Sequence, residues 1–130
     1  MARRRRKQAE PTGVAPTAHL RGLGFALVLT AIFLLLITLL VSVTSITEIW
    51  ARWLMVVCCG VAVFIGSYQT GRSMGRSGWF NGGATGLSYV VLMLLLALLL
   101  DLGLTARSLI TLVAGFALGA IGGVIGVNNR

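Results

Sequence analysis

Carboxylates are nearly missing from this chain: of 130 residues only Glu10, Glu48 and Asp101 carry one, and charged residues of both signs amount to 11%. A soluble domain holds about a quarter, so lipid rather than water is the solvent for most of the sequence. Histidine occurs once, at His19, and lysine once, at Lys7. A single histidine near the start of an apolar run gives little support to a ligand or catalytic role. The two cysteines, Cys58 and Cys59, are adjacent in the middle of an apolar run. That placement argues against a structural disulfide or a zinc site and for two buried free thiols.

These absences exclude whole classes of activity. No Asp, Glu, His or Lys lies at the middle of an apolar stretch, whereas intramembrane acids are the usual mark of a proton or cation path. Proton-coupled export of the small multidrug-exporter type, which uses a buried glutamate in its first helix, is therefore not expected. No nucleophile has a base beside it, and no glycine-rich phosphate loop follows a strand. The expectation is a protein that is not an enzyme and has no cofactor, no metal and no catalytic residue. The formal net charge of +8 is concentrated in Arg3 to Lys7 rather than spread over a foldable surface. It reads as a topology signal and a site of attraction to anionic headgroups, not as a nucleic-acid interface.

What is present is hydrophobic. Apolar residues make up 57% of the chain and the mean hydropathy is +0.94. Residues 1–16 read as a disordered basic tail, because they hold too little apolar surface to order themselves. The remainder, 17–130, reads as one domain. Four runs are each about long enough, at 1.5 Å per residue, to cross a core of roughly 30 Å. They fall at about 23–43, 53–70, 83–100 and 107–127. The fold class is thus all-α, a polytopic membrane protein. Thr17 is the expected cap of the first helix, Ser45 with Glu48 has capping-box spacing for the second, the third opens at Asn81 or Gly82, and Thr105 caps the fourth.

Basic residues orient the chain. Nine of the eleven lie in the tail, at Arg21, at Arg72 and Arg76, or at Arg130, leaving Arg52 and Arg107 for the other two connections. The positive-inside rule then places both termini and the middle connection in the cytosol, on the inner side of the membrane. Each half pairs a Leu-rich helix with a Gly-rich one, so the four spans read as two hairpins in parallel repeat. Trp50, Trp53 and Trp79 are expected at the interface with Arg72 and Arg76, and Asp101 is expected to pair with Arg107, or with Arg52, at the outer face.

Glycine carries the packing signal. Gly115, Gly119 and Gly123 form one small-xxx-small line on the last span, and Gly122 with Gly126 forms a second. Gly82 and Gly86 continue the pattern on the third. These lines are expected to pack within the chain; the alternative is that one ladder, in excess of the internal partners, faces a second subunit. Thr30, Thr38, Ser67, Thr70, Thr85, Ser88 and Thr111 can hydrogen-bond a neighbouring helix. The stretch Gly71 to Gly83 joins the halves, and its Gly-Arg-Ser tetrads (71–74 and 75–78) are expected to extend the second helix, with Arg72 and Arg76 one turn apart on one face.

Gly71-Arg72, Gly75-Arg76, Gly78-Trp79, Gly82-Gly83, Gly86 and Tyr89 resemble the middle signature of the YrzE-like family, small four-helix membrane proteins of Gram-positive bacteria. Leu118 to Asn128 is similar to that family's C-terminal pattern, and Asn81 stands where the family usually has a basic residue or histidine. The resemblance implies topology and supplies no activity. The expected role is therefore a packing or accessory subunit, or a homo-oligomer. The alternatives are a small oligomeric channel or uniporter lined by Ser67, Gln69, Thr85 and Ser88, and a lipid-responsive anchor acting through Arg3 to Lys7.

Overall fold

Four apolar runs long enough to cross a bilayer leave the backbone only one way to satisfy its own polar groups in lipid, and each run is helical. The computed structural model describes residues 16–75, 77–103 and 106–129. The helices are α1 (Pro16–Val43), α2 (Glu48–Met74), α3 (Gly78–Leu99) and α4 (Arg107–Asn128). All four are long and apolar enough to cross a membrane. At 28 and 27 residues, α1 and α2 are about 42 and 40 Å long, which exceeds a hydrocarbon core by roughly 10 Å.

Several boundaries differ from the sequence expectation, each for a local reason. Thr17 lies inside α1 and does not cap it. Glu48 is the first residue of α2, so it cannot reach back to Ser45 as a capping-box partner; Thr47 holds the N-cap position without a side-chain bond. Glu48 instead meets Arg52 one turn on, at 3.4 Å. The second tetrad does not prolong α2. Gly75 turns to φ 65° and its N–H closes on the Gly71 carbonyl at 3.1 Å, a left-handed termination that glycine adopts without strain. Ser77, also left-handed at φ 49°, then starts α3 at Gly78, three residues before the expected opening. Ala106 occupies the N-cap position of α4. Thr105, Arg76, Arg130 and the basic tail to residue 15 lie outside the described residues.

Short connections make consecutive helices antiparallel neighbours. Beyond that, α4 lies against both α3 and α2, α1 lies against α2 with a thinner contact to α3, and α1 does not touch α4. The core is small: Ala26, Val63, Tyr89 and Val90, with Leu23, Leu27, Met93, Leu94 and Leu112 around them.

Burial is confined to one end. Every buried described residue falls within 22–30, 62–71, 78–90 or 115–126. These segments are the start of α1, the end of α2, the start of α3 and the end of α4, which an antiparallel bundle brings to the same level. From 31 to 61 and from 91 to 114 no described residue is buried. Small residues let the helices close at one end, whereas Leu, Ile and Val face outward at the other.

Candidate functional site

The closed end is built from glycine. On α3, Gly78, Gly82 and Gly86 recur every fourth residue and therefore share one face. On α4 the matching face is Gly123, Gly119 and Gly115. The two faces meet in three antiparallel pairs, 78 with 123, 82 with 119 and 86 with 115. A Cβ on Gly123 would fall on the Gly78 carbonyl oxygen and 2.7 Å from the Gly82 Cα; a Cβ on Gly119 would lie 2.5 Å from the Gly82 oxygen. The hydrogen that glycine carries in place of a Cβ thus points at a carbonyl across the interface. Such Cα–H···O contacts contribute about 0.5–1 kcal/mol each.

The second line on α4 lies on the adjacent face, against α2. A Cβ at Gly122 would come within 2.6 Å of the Phe64 carbonyl oxygen, and one at Gly126 would strike the Tyr68 carbonyl. Both α4 ladders are therefore occupied within the chain, which agrees with the first expectation and leaves neither ladder for a second subunit. Sequence reading also passed over the α1–α2 seam. Gly66 would place a Cβ 2.7 Å from both the Ala26 Cβ and the Gly22 oxygen, and Gly71 on α2 abuts the Gly123 backbone. The spacing Gly22, Ala26, Thr30 was the available signal: a small-xxx-small line half hidden by the leucines beside it.

Polar side chains fill what the glycines leave. In mid-bundle Thr30 donates to the Ala26 carbonyl at 2.8 Å, so the Tyr89 hydroxyl, 2.7 Å away, donates to Thr30 and ties α3 to α1. The Cys59 thiol of α2 borders the same hydroxyl. Nearer the 71–78 connection, Ser67 donates to the Gly82 carbonyl at 3.1 Å. Thr70 donates to Gly66 and Thr85 to Asn81, with Thr85 also 3.2 Å from the Thr70 hydroxyl. The Nδ1 of His19 stands 2.8 Å from the Thr85 hydroxyl, joining α1 to this cluster. His19, set aside on sequence because it is alone, is thus the α1 member of a buried network drawn from three helices. Thr38 and Thr111 bond only to carbonyls four residues back and are exposed.

The interfacial candidates stand on the outside. Trp50, Trp53 and Trp79 are exposed, the last in an edge-on contact with Phe80 at 5.8 Å. Arg72 is exposed in the last turn of α2. Among the described residues no ion pair joins Asp101 to Arg107 or Arg52; the one formed is Glu48–Arg52. Asp101 has a backbone task instead. At φ 56° it occupies the left-handed position of a Schellman termination, with Leu102 N–H to Ala97 O at 3.0 Å and Asp101 N–H to Leu98 O at 3.1 Å. No group of three His, Cys, Asp or Glu is gathered among the described residues.

A family model described as a protein of unknown function (DUF3792) matches residues 16–126. The chain is also similar to the uncharacterized membrane protein YrzE of Bacillus subtilis (strain 168), with 32% identity over 97 residues, 74% of this chain. It spans 65% of that relative's length. No solved structure matches.

Proposed function

The chain belongs to the DUF3792 family of membrane proteins, and on that premise we propose that it is a non-enzymatic packing protein of the bacterial plasma membrane, acting as a homo-oligomer or as an accessory subunit of a larger membrane complex. The observation that carries the reading is the one-sided closure of the bundle. Glycine and hydrogen bonds hold one end together, whereas the other end presents Leu35, Leu39, Leu95, Leu99, Leu109 and Val113, all exposed, with no buried residue between them. With both α4 ladders engaged internally, a partner helix would meet this Leu, Ile and Val surface. Van der Waals packing rather than a hydrophobic force would hold it there.

Both termini and the 71–78 connection are proposed to face the cytosol. Nine of the eleven basic residues belong by sequence to the termini and the 71–78 connection, against Arg52 and Arg107 for the other two connections, and the positive-inside rule supports this reading. Both hairpins come together through small residues at the closed end, which supports a parallel repeat. The channel alternative draws less support. Ser67 and Thr85 are buried and bonded across helices, leaving Gln69 and Ser88 exposed.

Crosslinking in native membranes followed by mass spectrometry tests the proposal. Cysteines placed at Leu95 or Leu109 should give crosslinked adducts with another copy or another membrane protein. Recovery of non-associated monomer alone would reject it.

A further inference from the structure

We draw no further inference here: the strongest candidate, the open groove beside the start of α2 lined by Ser45, Thr47, Trp50, Trp53, Leu54 and Val57, is a largely apolar surface, and nothing in the structure shows what covers it.

Discussion

A glycine at a helix contact is measured by what its Cβ would strike, and the glycines of the four helices differ widely on that scale. At Gly123 the obstacle is the Gly78 and Gly82 backbone, which cannot rotate away. Gly123→Ala should therefore force α3 and α4 apart and lower stability by about 1–3 kcal/mol, read as a drop in the thermal midpoint in detergent. Gly24 has nothing within 4 Å, so Gly24→Ala should be neutral or stabilise by up to about 1 kcal/mol through helix propensity. A loss at Gly24 equal to that at Gly123 would show that close approach of the backbones is not what makes the substitution costly. Asp101 gives the complementary case. Because its φ is positive, Asp101→Gly should be neutral or mildly stabilising, and Asp101→Val should cost about 1–2 kcal/mol. If removing the carboxylate in Asp101→Gly destabilised the protein, a charge interaction would outweigh the backbone one.

Among the elements, α1 is fastened differently from the rest. Glycine lines on two faces lock α4 between α2 and α3, while α1 meets α2 along Gly22, Ala26 and Gly66 and reaches α3 through side chains, Thr30 to Tyr89 and His19 to Thr85. A double-mutant cycle of Thr30→Val with Tyr89→Phe should return a coupling near 0.6 kcal/mol and no more than about 1.7 kcal/mol, the range found for such bonds in membranes. A coupling indistinguishable from zero would mean that the bond is not formed in the bilayer. The packing asymmetry also predicts the order of opening. Hydrogen exchange in the last turns of α1 and first turns of α2 should outpace exchange at Gly66 to Thr70, because the former lack buried contacts.

For the whole molecule, the arrangement places Ser73 and Ser45 at opposite ends of α2, both exposed. In a background of Cys58→Ala and Cys59→Ala, a cysteine at Ser73 should react with an impermeant maleimide only after cells are opened. A cysteine at Ser45 should react in intact cells. The reverse pattern would overturn the proposed orientation and leave the fold untouched, because orientation depends on the loop charges and not on the helix contacts.

Much of this protein is legible from composition. A deficit of charge, four apolar runs and glycine every fourth residue are enough to set helix number, approximate length and the faces that carry small residues, since lipid admits little else for the backbone. Which ladder meets which neighbour was not readable, because Gly115 and Gly122 lie on lines of identical spacing that differ only in direction. Nor were the ends of α2 and α3, because Gly75 and Gly78 belong to the same repeated tetrad, and only the left-handed turn at Gly75 and Ser77 separates a cap from a helix start. His19 shows the limit most plainly. In the sequence it is one polar residue near an apolar run, and only tertiary structure brings Thr85, sixty-six residues away, within 2.8 Å of it. Local chemistry specifies helices, but partners across the bundle are set by register and rotation, which no single helix contains.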